Sequence, residues 1–386
     1  MSAQLKVGLI VNPISGMGGK VGLHGTDRES FRTAIALGAR PTSGERTLRA
    51  IGKLVKYSEL FCFHSTTGDM GGDYLEAVGL SYQPLPVLTS RDFTSGQDSY
   101  AAALALRERG VDLILFSGGD GTARDIFSAI GGSIPILGIP SGVKMRSEVF
   151  GIYPESIPEI LLAIAKSPHS YLSQSAEILD VSETLDIQGI SETELFGVAR
   201  TPRFTRLIQS SKTSDHSHGE IGLRELTEMI AKEMSPGKLY LIGPGKSAYM
   251  ILEAHGQKGS YVGVDALVNG VVIGSDLSEG EILSLLECYE ERELILGVIG
   301  GQGFLLGRGN QQISASVISQ IGFRAITVIA SAQKISALIP ARLHVDLDLP
   351  DVHQIFPRYI QVQTAPYRTI LCSIEVPSSQ NAMTLV

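Results

Sequence analysis

The chain has 386 residues, is 43% hydrophobic, contains 43 glycines and three cysteines, and carries a net charge of −8. That length exceeds one ordinary core and implies two domains, in a composition that suits a globular α/β protein. Net negative charge without a basic block excludes nucleic acid and an anionic membrane as main partners; no apolar run reaches export or membrane-spanning length, so a cytoplasmic protein is expected.

Residues 5–11 (LKVGLIV) predict a first strand, which runs into Asn12-Pro13-Ile14-Ser15-Gly16 and a loop with further glycines at 18, 19, 22 and 25. Open α/β sheets put ligands at such a loop. It is not the dinucleotide fingerprint, because the third glycine counted from Gly16 would fall on Val21. Patterning then predicts a helix over 45–57, a strand over 60–64, a helix over 71–78 and a strand over 84–88. The hydroxyl-rich loop 89–95 follows, with Thr89 and Thr94 as candidates for nucleotide contact, and then a helix over 97–109.

The most informative stretch is 111–130, VDLILFSGGDGTARDIFSAI. Its apolar run breaks at Ser117 and resumes with helical spacing at Ala123, Ile126, Phe127 and Ile130, which reads as strand, glycine turn and helix. Gly118, Gly119 and Gly121 let backbone amides approach a bound group, Thr122 is placed to cap the helix, and the helix start favours an anion. Asp120 is a lone carboxylate in this phosphate-friendly turn, suited to taking a proton from a hydroxyl or to facing a metal ion. Arg124 is a candidate cation for phosphate. Asp125 either shares Mg²⁺ with Asp120 or pairs with Arg124. A strand over 135–139 leads to Gly138-Ile139-Pro140-Ser141-Gly142-Val143-Lys144-Met145, where Lys144 is a phosphate partner or a plain surface lysine.

Further on, a helix over 154–166 and a hairpin-rich segment over 176–202 are expected. Residues 210–218 read as a mobile polar loop whose His216 and His218 lack further ligands at metal spacing. A strand over 238–242 meets Gly243-Pro244-Gly245-Lys246-Ser247, which is not a Walker A loop because position 240 is tyrosine. Strands are expected over 262–273, 293–299 and 324–329. The loop 300–312 offers Gly301, Gln302, Gly303, Arg308 and Asn310 to a phosphate or to polar ring substituents, unless it is a structural turn whose arginine pairs with a carboxylate. The fold expected is α/β: an N-terminal doubly wound, Rossmann-like parallel sheet over 1–150, a mixed, strand-rich C-terminal domain over 151–375, and a polar tail over 376–386.

Four blocks carry a family likeness: VNPISGMGGKVGLHGTD (11–27), GGDGTARDI (118–126), GIPSGVKM (138–145) and GGQGFLLGRGNQQIS (300–314). Together they resemble the ATP-NAD kinase family, within the superfamily of diacylglycerol, sphingosine and NAD kinases, and in it the subgroup of acetoin-catabolism protein X. The resemblance implies an ATP-dependent kinase with Mg²⁺, in which Asp120 is the general base toward a substrate hydroxyl. It places Asn12, Ser15, Gly16, Gly18 and Gly19 around the ATP phosphates and names NAD, at its adenosine ribose 2′-hydroxyl, as the leading acceptor. The family's Gly-Ile-Asn-x-Gly turn is Gly138-Ile139-Pro140-Ser141-Gly142 here, and the family's Asn-Glu/Asp pair has no counterpart. A small polyol or hydroxyketone therefore stays open as acceptor, as does a non-catalytic nucleotide-binding regulator. A lipid kinase is disfavoured, since no apolar helix or basic patch suits a membrane surface. A homo-oligomer is expected.

Overall fold

Short apolar runs that alternate with helical spacing bury both faces of a parallel sheet, and this happens in the first half of the chain. The computed structural model describes residues 4–23, 33–86, 94–143, 145–167, 173–185, 191–204, 219–338, 340–347 and 356–377. They divide into two compact units, Met1–Met17 with Thr26–Ser211, and Gly18–Gly25 with Lys212–Val386.

In the first unit, β1 (Leu5–Val11), β2 (Phe61–Ser65), β3 (Tyr82–Pro84), β4 (Leu113–Gly118) and β5 (Ile136–Pro140) form a five-stranded sheet in the order β3-β2-β1-β4-β5. Every pairing in it is parallel. The helices are α1 (Ser43–Ile51), α2 (Gly72–Val78), α3 (Gly96–Glu108), α4 (Asp120–Ile130) and α5 (Ser156–Lys166). Alternate strand residues feed opposite faces. Leu9, Val11, Leu115 and Leu137 pack with Leu54, Leu75, Ile157, Ile160 and Ile164. Ile10, Ile114, Phe116 and Ile136 pack with Ala102, Leu106, Ala123 and Ile126. Each such fully buried side chain contributes roughly 1.5–3 kcal/mol, so the sheet is held from both sides.

This unit extends beyond the boundary expected at residue 150. The apolar face of α5 sits in the first core, and the antiparallel ribbon β6 (Ser173–Leu185) and β7 (Ser191–Pro202) places Ala176, Ile178 and Ala199 in the second. The helix expected over 45–57 stops at Ile51 and continues as a 3₁₀ segment, Gly52–Leu60, with Tyr57 out of helical geometry. Gly52 and β-branched Val55 weaken a helix there. The strand expected over 84–88 is instead β3 at Tyr82–Pro84, after which the Leu85 N–H still donates to the Ser65 carbonyl at 2.9 Å. Thr89, Lys144 and the loop 210–218 lie outside the described residues.

The second unit holds a nine-stranded mixed sheet in the order β10-β9-β8-β11-β13-β15-β16-β14-β12. Its strands are β8 (Leu239–Ile242), β9 (Asp265–Val268), β10 (Val271–Gly274), β11 (Arg292–Gly297), β12 (Phe304–Leu306), β13 (Ile326–Ile329), β14 (Arg342–Val345), β15 (Tyr359–Ala365) and β16 (Arg368–Glu375). Its helices are α6 (Gly219–Glu233), α7 (Lys246–Ala254), α8 (Glu279–Cys288), α9 (Ala315–Ile321) and α10 (Ala332–Ser336). The single strand expected over 262–273 is instead the hairpin of β9 and β10, turned by Asn269 and Gly270, both with positive φ. Asn-Gly is the pair that a two-residue hairpin turn of this kind favours. Leu241, Leu294, Leu296, Val328, Val345 and Val362 line one core of this sheet. No helix among the described residues is long and apolar enough to cross a membrane.

Candidate active site

The strand order of the first sheet reverses between β1 and β4, and loops leaving the carboxyl ends of strands part at such a point to make a ligand crevice. Asn12 follows β1 directly. Its N–H donates to the Ser117 carbonyl (2.9 Å), its Nδ2 donates to Thr122 Oγ1 (3.0 Å), and its Oδ1 accepts from the Ile14 N–H (3.2 Å). Ser15 is buried, and its N–H donates to the Asn12 carbonyl at 3.1 Å. Gly16 has φ +84°, and a Cβ there would lie 2.1 Å from Thr42 Oγ1 and 2.3 Å from the Ser141 carbonyl, so the tight turn requires glycine.

Strand β4 ends at Gly118, and α4 begins at Asp120 with Gly119 as its N-cap. Thr122 is therefore not the cap that its position suggests: it lies inside the first turn, and its Oγ1 accepts from Asn12 Nδ2. A glycine N-cap has no side chain to offer, and none caps α4, which leaves the start of the helix suited to an anion. Gly118 sits over Thr122, and Gly121 is exposed with nothing near it. Gly142, at the end of the turn after β5, approaches the Gly119 backbone so closely that a Cβ would fall 2.6 Å from Gly119 Cα.

Asp120 is 8% exposed. Its Oδ2 accepts the Arg146 N–H at 2.8 Å and its Oδ1 accepts the Ser147 N–H at 2.9 Å. Burial raises its pKa above the usual carboxylate range, while the Ser147 hydroxyl, the two amides and the Arg146 charge pull it partly back. Arg146 and Ser147 escape notice in the sequence because backbone N–H groups have no residue signature.

Asp125 takes the second of its two expected roles, pairing with Arg124 at 3.5 Å. It faces the start of α3, where a Cβ on Gly96 would meet its Oδ2 at 2.4 Å. Five residues along a helix turn the side chain by about 140°, so Asp120 and Asp125 are not brought together as a metal pair. Among the described residues no group of three His, Cys, Asp or Glu side chains gathers as for a metal ion.

Gly18 and Gly19 belong to the second unit, where the 3₁₀ turn Gly19–Val21 packs on Gln311. In the same unit, Ile299 and Phe304 exchange backbone hydrogen bonds of 2.7 and 3.1 Å around Gly300, Gly301, Gln302 and Gly303, with Gly301 exposed. Arg308 is 6% exposed, its Nε 3.6 Å from Asp346 Oδ2 and its guanidinium 4.6 Å from the centre of the Phe304 ring. The buried Asn310 accepts from the Gly307 N–H and donates to the Leu305 carbonyl, both at 2.9 Å. Arg308 thus has the carboxylate partner of the structural-turn alternative, and Asn310 clasps its own loop.

Residues 7–169 match the ATP-NAD kinase N-terminal domain, and residues 238–370 match the ATP-NAD kinase C-terminal domain. No curated protein matches the chain. Among solved structures it is similar to glycinamide ribonucleotide transformylase 1 from Symbiobacterium toebii, at 16% identity over 52% of this chain and 75% of that one, with a TM-score of 0.18. That score is too low to bear on the fold. With both family domains matched, in order and over most of its length, the chain belongs to the ATP-NAD kinase family.

Proposed function

We propose that the protein is an ATP-dependent kinase that phosphorylates a hydroxyl of a small molecule, with the 2′-hydroxyl of the adenosine ribose of NAD as leading acceptor. The acceptor oxygen attacks the γ-phosphorus, the bond from that phosphorus to the bridging oxygen breaks, ADP leaves, and the acceptor proton passes to Asp120. The observation that carries this reading is the hold on Asp120 at the switch point. Two amides and the Ser147 hydroxyl take three of the carboxylate's four lone pairs, which leaves one to take a proton. A raised pKa makes that carboxylate a better base.

Asn12, Ser15, Gly16, Gly118, Gly119, Gly121 and Thr122 shape the turn for the donor's phosphates, and Arg124 and Lys144 supply positive charge. Mg²⁺ would come bound to the ATP phosphates, since Asp120 is held by the Arg146 and Ser147 amides while Asp125 pairs with Arg124 and faces Gly96. Gly301, Gln302 and Gly303 are the residues of the second unit assigned to the acceptor. Arg308 and Asn310 act there by keeping the loop in shape.

A non-catalytic nucleotide-binding regulator is the second reading, favoured by the near-complete burial of Asp120. The test is ADP release by the purified protein over a panel of NAD, NADH, polyols, hydroxyketones and nucleosides. Saturable release with NAD is the expected result, and release with a hydroxyketone or polyol would favour the acetoin-type subgroup. Silence across the panel together with tight ATP binding would replace the kinase with the regulator.

A further inference from the structure

The groups that hold Asp120 do not end at the two amides. Ser147 is fully buried, its N–H donates to Asp120 Oδ1 at 2.9 Å, and its hydroxyl acts on the same carboxyl as a donor that lowers its pKa. The same Oγ accepts the N–H of Leu179, on β6, at 3.0 Å and lies 3.4 Å from the Leu179 carbonyl. One residue on, Glu148 is stitched to the same strand. Its N–H donates to the Glu177 carbonyl and its Oε2 accepts the Glu177 N–H, both at 2.9 Å. The segment that grips Asp120 is thus bonded to the β6–β7 ribbon, far from it in sequence.

A serine hydroxyl has one proton. With Leu179 N–H occupying one lone pair, that proton goes either to Asp120 or to the long contact with the Leu179 carbonyl. The carboxylate is the stronger acceptor when ionised. When Asp120 is protonated it accepts less strongly, and the hydroxyl can turn toward Leu179 without leaving its place. Ser147 therefore has an acceptor in either protonation state of its neighbour. Arg146, beside it, is the charged residue that acts on the carboxylate.

We infer that Ser147 is a positioning residue for Asp120: its N–H and hydroxyl fix the carboxylate, and its bonds to Leu179 make the β6–β7 ribbon the support of the base. The inference rests on the kinase reading for its consequence in turnover, but its geometry is open to a measurement that needs no turnover.

The test is the titration of the Asp120 side-chain carboxyl, followed by carbon-13 NMR in wild type and Ser147→Ala, with circular dichroism to verify the fold. The expected midpoint in Ser147→Ala lies higher by about one pH unit, the order of one lost hydrogen bond to a charged acceptor. In parallel, kcat falls several-fold while KM for ATP holds. An unmoved midpoint in a folded variant overturns the inference. Should Ser147→Ala not fold, Ser147→Cys carries the same measurement, since a thiol is a weaker donor in nearly the same volume. A raised midpoint there supports the inference, and an unmoved one overturns it. A raised midpoint in a protein whose wild type transfers no phosphate overturns the kinase reading alone.

Discussion

The side-chain amide of Asn12 donates to Thr122 Oγ1 at 3.0 Å, across 110 residues of sequence. The contact ties the loop after β1 to the first turn of α4, so the two walls of the crevice keep a fixed distance. Asn12→Ala removes this bond and the acceptor for the Ile14 N–H. The loss expected is about 1–2 kcal/mol of stability, read from denaturant unfolding, with a several-fold weaker affinity for ATP. Asn12→Asp can still accept from Ile14 and from the Thr122 hydroxyl, yet it adds a negative charge beside the phosphates. Its ATP affinity should therefore fall further than that of the alanine variant. An aspartate variant that binds ATP as well as wild type would remove this loop from the donor site.

Gly142 meets the backbone of Gly119, not a side chain that could swing aside. Gly142→Ala must then shift the turn that starts α4, and with it Asp120. The expected result is a loss of kcat of at least tenfold, with a cost of about 1–3 kcal/mol of the kind overpacking imposes. Gly121→Ala is the control, because a Cβ there enters open space. It should leave stability nearly unchanged. Equal loss of stability in the two variants would contradict the close approach of Gly142 to Gly119.

Legibility from sequence followed the range of the interactions. Strand β1 and the β4–α4 unit are plain because apolar runs and glycine turns are local signals, and the motif blocks then point to the family. The hairpin of β9 and β10 was open to reading too, through Asn269-Gly270, but an apolar run on both sides reads as one strand. The hold on Asp120 is of another kind. It is made by N–H groups of Arg146 and Ser147, which any residue but proline would supply. Arg308 shows the converse limit. Its pattern suits phosphate, and only the fold shows that Asp346 is its neighbour.

His344 gives the second unit its own pH dependence. Burial first, then the charges of Arg308 and Arg342, push its pKa down to about 4, against a smaller opposing effect from Asp346. A depressed folded-state pKa means that the unfolded chain binds the proton more readily. The stability due to the neutral ring is therefore fully present above pH 6.5 and is lost as pH falls toward about 4. The full difference is on the order of 3 kcal/mol. Unfolding free energies of wild type and His344→Phe should diverge on this window, wild type losing more on acidification. Parallel curves would mean that the ring titrates in the folded protein as it does in the unfolded chain.

The three thiols should react in the order of their burial. Cys288, at the end of α8, is exposed; Cys62 is half-buried with its Sγ 3.6 Å from His64 Nε2; Cys372 is buried, and that burial pushes its thiol pKa up. The thiolate is the reacting species. Ellman's reagent should label Cys288 first and reach Cys372 only on unfolding. Cys372 labelled in the native protein as fast as Cys288 would contradict the core of the second sheet as described.

Asp120 has the opposite sign to His344. Its folded-state pKa is raised, chiefly by burial, so the folded protein holds the proton more tightly than the unfolded chain. The stability associated with the neutral acid is present below the ordinary aspartate pKa and declines as pH rises through the raised folded value. Asp120→Asn removes that slope. It also leaves one of two N–H donors without an acceptor, since an amide has one carbonyl oxygen for the Arg146 and Ser147 groups, at a cost of about 1–3 kcal/mol. Wild type should thus be the more stable of the two at low pH, and its advantage should shrink as pH increases. Turnover runs the other way, because a base works only when ionised. The kcat of wild type should rise with pH through the same raised midpoint, and that of Asp120→Asn should be lower by roughly 10²–10⁴-fold, with ATP binding retained. A wild-type advantage that grows with pH would show a carboxylate stabilised by the fold, and the base would then have to be sought elsewhere.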